Sequence, residues 1–365
     1  GCRLPRSSCT LQFPEPVKKI TKHTSMASDK ARDVSEQPRP GRATIRDIAE
    51  RAGVSKGAVS YALNGRPGVS EDTRERIISI ANELGWYPNR AARALSAARA
   101  EACGLVLARP ARTLALEPFF MEFIAGVEAE LATRSVALTL QLVGDVQEEI
   151  DVYRRWWGER RVDGVLVLDL RREDPRVDEL VRLGLPAVVV GGPLENGELP
   201  CVWHDEGAVV TEAVQYLVAL GHGRIAHVAG VADFVHTAQR MAAFTGTTRE
   251  LGVHGEVVET DYSAESGARA TRKLLSSPSP PTAIVFDSDL LAVTGLGVAQ
   301  QMGFSVPEDV SIVGWDDSLI SQVVHPALTA ITRDIEAFGV ACTQQLLAAV
   351  EGQATGDVET MRGEL

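Results

Sequence analysis

The chain has 365 residues, which is too long for one small domain and fits two or three. It is 45% hydrophobic and 5% aromatic, which supplies a large aliphatic core and excludes a wholly disordered chain. The formal net charge of −12 is unevenly distributed: residues 41–99 hold 10 Lys and Arg against 6 Asp and Glu, and the residues after 99 hold 19 against 39. A basic head therefore precedes an acidic body, and only the head is suited to approach nucleic-acid phosphates.

The composition excludes several other classes. Residues 1–40 predict a disordered leader, with Met26 as a candidate start and a basic DNA-contacting arm as the alternative. No stretch approaches about 18 unbroken apolar residues, so we expect no membrane span and a cytoplasmic protein. The five cysteines form no C-x-x-C pair, which indicates neither a zinc site nor a disulfide framework, and no cofactor is expected. They are Cys2, Cys9, Cys103, Cys201 and Cys342.

Three short helices are predicted after the leader. Thr44 and Asp47 have the spacing of a capping box at the start of "TIRDIAERA", which Gly53 ends. Ser55 can cap a second helix that runs through Leu63, and Ser70 a third, "EDTRERIISIANEL". Two short helices joined by a glycine-containing turn are typical of a helix-turn-helix, although a generic three-helix bundle would fit the same pattern.

The segment after the third helix carries a more specific sequence pattern than the three helices do. From Thr44 to Ser96 the chain resembles the DNA-binding head of lac repressor-type (LacI/GalR family) regulators, including the pattern Y-x-P-N-x-x-A-x-x-L in "YPNRAARALS". The resemblance implies a helix-turn-helix domain over residues 41–87 and a hinge helix or linker over 88–100. It also implies that Asn89, Arg90 and Leu95 act at the minor groove, where the leucine wedges between base steps and kinks the duplex.

The same resemblance assigns roles on the second helix, "KGAVSYAL". Lys56, Gly57 and Tyr61 match the positions that read bases. Lysine can donate to guanine and tyrosine can contact a thymine methyl, but glycine can read no base edge. We therefore expect Gly57 to permit close backbone approach, with drift at a tolerant position as the alternative. Ser55, Ser60 and Asn64 are expected to contact phosphates.

The body, residues 101–365, alternates short aliphatic strands with amphipathic helices. Buried parallel strands are predicted in "CGLVLA", "VALTLQLV", "VDGVLVLDL", "LPAVVVGG", "RIAHVAG", "GEVVET", "PTAIVFDS" and "DVSIVGW". Such alternation predicts two doubly wound parallel sheets, hence a two-lobed α/β body with a cleft at the carboxyl ends of the strands.

The body resembles the effector domain of the same family, which is similar to periplasmic sugar-binding proteins. The resemblance implies an effector-binding and dimerisation domain whose pocket contains Phe119 or Phe120, Arg240, Tyr262, Ser288, Asp289, Asp316 and Arg333. Asp289 could instead cap the helix beside it, Arg333 could form only a surface ion pair, and the Phe pair could be core. The family adds a strand after its last helix, and "VETMRGEL" makes that strand partial or absent here. No leucine-heptad tail is visible, which favours a homodimer.

The sequence also departs from the sugar-responsive pattern. Ala238 stands where many members carry an arginine, and Ser288-Asp289 stands where they show Asn-Asp, so the effector class does not transfer directly. A carbohydrate or its phosphate is the expected effector, and the absence of any effector is an open alternative. No dinucleotide, P-loop, zinc-protease or hydrolase motif is present, so we expect no enzyme. The sequence therefore predicts a repressor that binds a palindromic operator, with a DNA-independent ligand sensor as the alternative.

Overall fold

The computed structural model describes residues 43–87, 99–194, 197–353 and 356–365, and the chain divides into two compact units between Tyr87 and Pro88. The predicted leader, the candidate start at Met26, and the hinge residues Asn89, Arg90 and Leu95 lie outside the described residues.

The first unit is a bundle of three helices: α1 (Ile45–Ala52), α2 (Lys56–Leu63) and α3 (Glu71–Glu83). Its small core consists of Ile48, Ala49, Ala52, Val59, Ala62, Ile77 and Ala81. Arg74 of α3 donates to the carbonyls of Ala62 and Arg66 at 3.1 and 3.0 Å, which fixes the turn after α2. Helices this short are marginal alone, so packing against α3 stabilises α2.

The predicted helix starts are present in the first unit. The Thr44 amide donates to the Asp47 carboxylate at 2.7 Å and the Asp47 amide donates to the Thr44 hydroxyl at 3.4 Å, completing the capping box. The Ser55 hydroxyl accepts from the Ala58 amide at 3.2 Å. Ser70 occupies the N-cap of α3, but its hydroxyl bonds the Thr73 hydroxyl at 2.9 Å and makes no capping bond to the backbone.

The second unit consists of two α/β lobes. The first lobe contains β1 (Ala102–Leu107), α4 (Ala111–Leu116), α5 (Pro118–Thr133), β2 (Ala137–Leu142), α6 (Val146–Gly158), β3 (Gly164–Val167), α7 (Pro175–Leu183), β4 (Ala187–Val190), β5 (Cys201–Trp203), α13 (Ile335–Val350) and β11 (Val358–Glu359). The second lobe contains α8 (Glu206–Ala219), β6 (Arg224–Ala229), α9 (Val235–Glu250), β7 (His254–Glu259), α10 (Ala264–Leu275), β8 (Ala283–Phe286), α11 (Asp289–Gln301), β9 (Ser311–Asp316), α12 (Leu319–Val323) and β10 (Thr329–Thr332).

Both sheets are parallel and have the same winding. The strand orders are β11-β5-β4-β3-β1-β2 and β10-β9-β8-β6-β7, so the direction in which successive strands are added to the sheet reverses between β1 and β3 and again between β6 and β8. The predicted doubly wound fold is therefore confirmed. In such sheets the crevice at the carboxyl ends of the strands, at the switch point, is where ligands bind.

For two strands, β2 and β7, the prediction of burial is wrong. β2 and β7 each pair with a neighbour on one side only, at the edges of their sheets, and their residues are half-buried or exposed. Their apolar residues suggested full burial. An edge strand has a neighbouring strand on one side only, so its residues stay partly exposed. The six strands β1, β3, β4, β6, β8 and β9 are buried almost throughout.

The lobes are connected by chain crossovers. The chain leaves the first lobe after Trp203 and returns after Thr332. The strand after the last helix is present in part: β11 pairs with β5, and Glu364 then bridges antiparallel to Thr332 in the second lobe. Within the described ranges, no helix is both long enough and apolar enough to cross a membrane.

Candidate functional site

The outer side of α2 carries the residues predicted to contact DNA. Val59 and Ala62 face the core, while Ser55, Lys56, Gly57, Tyr61 and Asn64 are exposed and Ser60 is half-buried. The Asn64 amide donates to the Ser60 carbonyl at 2.8 Å, so the end of the helix is held by its own side chain. The helix therefore exposes one edge that is mostly polar, which is the arrangement expected of a recognition helix.

Gly57 has no structural need to be glycine. A Cβ built there meets only the Ser55 Oγ, at 3.8 Å, which is ordinary contact. Glycine in a helix is less favourable than alanine by up to about 1 kcal/mol. The reason for this residue therefore lies outside the packing of the head.

In the second unit, a cavity of about 90 Å³ lies between the lobes, at the carboxyl ends of their strands. It is lined by residues of both lobes and of both crossovers: Arg109, Thr113, Glu117, Phe119, Phe120, Leu168, Asp169, Val190, Gly191, His204, Glu206, His236, Arg240, Tyr262, Asp287, Ser288, Asp316, Arg333 and Phe338. Seven of the predicted effector residues are among them, and Asp289 is not.

Arg240 lies at the centre of a buried ion network. Its Nε donates to Glu206 at 2.8 Å, its Nη1 donates to the Asp287 carbonyl at 3.1 Å, and its guanidinium stacks 3.8 Å from the Trp315 ring centroid. Burial raises the pKa of Asp287, but the neighbouring His227 and Arg240 outweigh it and bring it to about 2. Both groups are therefore charged at neutral pH.

Arg333 joins the two crossovers. Its Nε donates to Asp316 at 2.7 Å, and its Nη1 lies 3.2 Å from Glu206 and 2.8 Å from the His204 Nε2. Burial alone would raise the pKa of Glu206, but the charges of Arg240 and Arg333 hold it well below its usual range. Arg333 is therefore part of the cavity wall, and the surface-pair alternative for it is wrong.

On the first-lobe side, Arg109 follows β1 and Asp169 follows β3, at the switch point of that sheet. The guanidinium donates twice to the carboxylate, at 2.8 and 3.0 Å. It also lies 4.5 Å from the ring centroid of Phe234 and 5.0 Å from that of Tyr262, both in the second lobe. This arginine therefore contacts both lobes.

Aromatic rings complete the wall. Phe119 and Phe120 meet edge to face at 5.5 Å, and both line the cavity while packing on the first-lobe core. The Tyr262 hydroxyl bonds Thr237 at 3.0 Å and His236 at 3.1 Å. Burial and the Arg240 charge lower the pKa of His236 to about 4, so this ring is neutral at pH 7.

Asp289 has a different place from the one predicted. Ser288 is the N-cap of α11, with its hydroxyl accepting from the Leu291 amide at 3.3 Å. The Asp289 carboxylate instead accepts from the backbone amides of Trp315 and Ser318, at 2.9 and 2.6 Å. It therefore holds the end of β9 beside Asp316, and does not line the cavity.

Three cavity residues lie in backbone conformations that L-amino acids rarely adopt. Asp169, Tyr262 and Asp316 have φ values of 54°, 64° and 89°. Each directs its side chain into the cavity wall from a strand end or the loop after it. The left-handed conformation costs about 1–2 kcal/mol per non-glycine residue, so the surrounding packing offsets that cost.

Sequence reasoning missed Thr113 and seven titratable residues of the lining, namely Arg109, Glu117, Asp169, His204, Glu206, His236 and Asp287. Arg109, Asp169 and Asp287 follow the buried strands β1, β3 and β8 within two residues, which was a usable signal. Among the described residues, no cluster of His, Cys, Asp and Glu could hold a metal ion, and the described cysteines are unpaired and buried.

Comparison with known proteins assigns both units. Residues 44–89 match the profile of bacterial regulatory proteins of the lacI family, and residues 214–364 match the periplasmic binding protein-like domain. The HTH-type transcriptional regulator CelR of Thermobifida fusca is 33% identical over 322 residues, which cover 87% of this chain and 94% of CelR. The transcriptional repressor CytR of Escherichia coli K12 is 31% identical over 322 residues, covering 86% and 92%.

Solved structures agree with these relatives. The CelR–cellobiose complex has a TM-score of 0.67 at 31% identity, covering 88% of this chain and 97% of that one. The lac repressor dimer bound to operator and the anti-inducer ONPF has a TM-score of 0.78 at 25% identity, covering 89% and 98%. These relatives are DNA-binding regulators, which confirms that the protein is not an enzyme. The chain belongs to the LacI family of bacterial transcriptional regulators.

Proposed function

We propose that the protein is a cytoplasmic, ligand-responsive repressor that binds a palindromic operator as a homodimer. In this proposal α2 lies in the major groove, Lys56 and Tyr61 contact base edges, and Gly57 lets the backbone approach closely. Ser55, Ser60 and Asn64 contact phosphates and set the register. The exposed polar edge of α2 supports this assignment.

The hinge belongs to the same proposal. Asn89, Arg90 and Leu95 are outside the described residues, and their proposed role rests on the family pattern. Paired hinge helices of a dimer would insert Leu95 at the operator centre, where unstacking costs a few kcal/mol that added contacts offset.

The cavity between the lobes is the proposed effector site. Aromatic rings and fixed polar groups suit a sugar or related metabolite, since few convergent polar groups on an apolar wall orient a small ligand. Phe119, Phe120, Arg240, Tyr262, Ser288, Asp316 and Arg333 would contact it, while we now assign Asp289 to holding β9. The solved CelR complex contains cellobiose, which supports a carbohydrate here.

Ligand and DNA would be coupled through the lobe angle. Arg333, on the return crossover, contacts His204 on the first crossover and Glu206 at the start of α8, so a ligand that contacts this group can favour one lobe arrangement. A ligand changes DNA affinity only by its difference in affinity for the two arrangements, and the coupling is reciprocal.

One observation supports this function above the others: a helix with an exposed recognition edge and a charged inter-lobe cavity occur in one chain. The direct test is selection of random double-stranded DNA by the purified full chain at about 0.15 M salt, where non-specific contacts are weakened. We expect an enriched palindrome with half-sites about one helical turn apart. If neither purified protein nor protein with cell extract enriches any motif, the operator proposal fails.

Replacing Lys56 with alanine tests base reading. We expect binding to weaken by about 10- to 100-fold for each half-site of the selected operator, because one good side-chain pair to a base is worth roughly 1–3 kcal/mol. The variant should also accept substitutions at one base pair in each half-site. The measurement is fluorescence anisotropy on the operator and on its single-base variants. A uniform loss on all sequences would instead make Lys56 a phosphate contact.

Gly57→Ala separates the two explanations for the glycine. The head should become more stable by up to about 1 kcal/mol, since the added methyl meets only ordinary contact. Hydrogen exchange of peptides from residues 43–87 in the full chain measures this gain. If close approach to DNA is the reason for glycine, operator affinity falls although the head is more stable. Unchanged affinity would identify a tolerant position.

A further inference from the structure

The arginines that line the cavity already form ion pairs with carboxylates of the same cavity. Each guanidinium that lines it is paired with a carboxylate of the same wall: Arg109 with Asp169, Arg240 with Glu206, and Arg333 with Asp316. His236 is neutral at pH 7, as described above. Within the described residues, the lining holds five carboxyl groups against three guanidiniums. The wall therefore carries a surplus of acidic groups.

Glu117 is the carboxyl group without a cation. It lines the cavity, is 7% exposed, and its Oε2 has no hydrogen-bond partner among the described residues. It occupies the N-cap position of α5, yet its side chain makes no capping bond. A buried polar atom without a partner is costly, so its presence in a cavity wall indicates a partner supplied by a ligand.

The electrostatic surroundings keep this group uncharged. Burial, followed by the nearby Asp316 carboxylate, raises the pKa of Glu117 to about 8. A side-chain hydrogen bond with Ser288 lowers the pKa by less than these two raise it, Asp289 raises it further, and Arg109 lowers it by the smallest amount. At pH 7 the carboxyl is therefore mostly protonated and offers both an O–H donor and a carbonyl acceptor.

We propose that the ligand of this cavity is an uncharged, hydroxyl-rich ring, that phosphorylated and carboxylated forms of the ring are rejected, and that the Glu117 carboxyl contacts a ligand hydroxyl. This proposal rests on the effector role proposed above and narrows its ligand class.

The reason for rejecting anions is the pairing of the arginines. A phosphate or carboxylate is held best by a guanidinium fork, and here each fork would have to leave a buried carboxylate unpaired. An anion would also meet the ionised carboxylates of the wall, which outnumber the guanidiniums by four to three when Glu117 is uncharged, and such like-charge contacts are strongly unfavourable. A hydroxyl, by contrast, can donate to an ionised carboxylate and accept from the Glu117 O–H without disturbing any ion pair.

Isothermal titration calorimetry of the full chain tests the charge rule. The probes are glucose, galactose, mannose, ribose, cellobiose and maltose, and, for each hexose, its 6-phosphate and its uronate. We expect at least one neutral sugar to bind, and the anionic forms of any bound hexose to bind on the order of 100-fold more weakly or not at all. A phosphate or uronate that binds as tightly as its parent sugar overturns the proposal. Failure of all probes, with operator binding intact, overturns the sugar effector as well.

Two variants at Glu117 test the contact. Glu117→Gln retains a donor and an acceptor, so affinity for the bound neutral sugar should stay within about threefold of wild type at pH 7. Glu117→Leu removes both and should weaken binding at least tenfold. Equal affinity of wild type and Glu117→Leu would overturn the contact, provided that thermal melting shows the variant folded.

The pH profile and a matched control separate contact from structure. Asp316, Asp289 and Arg109 face Glu117, and raising the pH from 7 to 9 should ionise it and weaken sugar binding in wild type. Glu117→Gln should lose this pH dependence. Glu128→Gln makes the same change at an exposed position of α5, outside the cavity lining, and should leave affinity and pH profile unchanged. A pH profile that persists in Glu117→Gln would overturn the role of this carboxyl.

Discussion

Glu206→Gln should lower the free energy of unfolding of the effector unit by about 3–5 kcal/mol, the range for breaking a buried ion pair by removing one partner. Glu206 is 7% exposed and accepts from Arg240 at 2.8 Å, and it lies 3.2 Å from Arg333. The neutral amide leaves both guanidiniums without their shared counter-charge. Urea unfolding of the full chain, followed by tryptophan fluorescence, measures the loss because Trp315 stacks on Arg240.

A pH series tests the same ion network, because the pKa of Glu206 sets how its contribution to stability changes with pH. The pKa of Glu206 is lower in the folded than in the unfolded chain, so its contribution is full above the unfolded pKa and is lost as the pH falls below it. Wild type should therefore lose more stability than Glu206→Gln on acidification below about pH 4.5. Glu212→Gln, exposed on the same helix, should cost under about 0.5 kcal/mol. Equal losses in the two variants would contradict the role of the network.

Of the glycine-to-alanine changes in the first lobe, Gly126→Ala should cost the most stability. A Cβ at Gly126 would lie 2.0 Å from the backbone oxygen of Glu336, because α5 and α13 cross there with their backbones in near contact. Gly339 on α13 faces the same crossing, where an added Cβ would lie 2.4 Å from the Phe123 oxygen. Backbone atoms cannot turn aside as a side chain can, so the helices must separate. We expect a loss of at least about 3 kcal/mol, the upper part of the overpacking range.

Gly246→Ala is the matched control, since a Cβ there meets nothing within 4 Å in the helix interior of α9. It should be neutral or stabilising by up to about 1 kcal/mol. In thermal melting we therefore expect Gly126→Ala to lower the melting temperature and Gly246→Ala to leave it unchanged or raise it. A loss at Gly126 no larger than at Gly246 would show that the two helices adjust freely. Phe119 and Phe338 line the cavity near the ends of these helices, so Gly126→Ala should also weaken the effector binding proposed above.

Local sequence signals predicted the fold well. Caps such as Thr44 and Ser55 act within three residues, and the aliphatic strands alternate with helices of ordinary length. The edge position of β2 was not predictable, because only the strand order decides which strands have one neighbour. Ser70 shows a similar limit: its place before α3 was correct, but whether a hydroxyl bonds the backbone or Thr73 depends on the rotamer.

The cavity was predicted only in part, for a physical reason. Phe119, Arg240, Tyr262 and Asp316 were found through the family resemblance, and the position of Asp169 or Asp287 after a buried strand could have been read from the sequence. Glu206 could not, because its partners lie 34 and 127 residues away. Asp289 was misplaced for the same reason, since its carboxylate bonds the backbone of a strand that begins 22 residues later.

The left-handed residues of the cavity have a consequence for directed evolution. At Asp169, Tyr262 and Asp316 a glycine would relieve backbone strain of up to about 1–2 kcal/mol each. The two aspartates are paired with arginines of the cavity wall and the tyrosine ring is itself buried, so the same change would cost more, about 3–5 kcal/mol. A screen that rewards heat resistance alone should therefore retain all three side chains. Because these side chains also form the wall of the cavity, thermostable variants from such a screen should keep the proposed effector site intact.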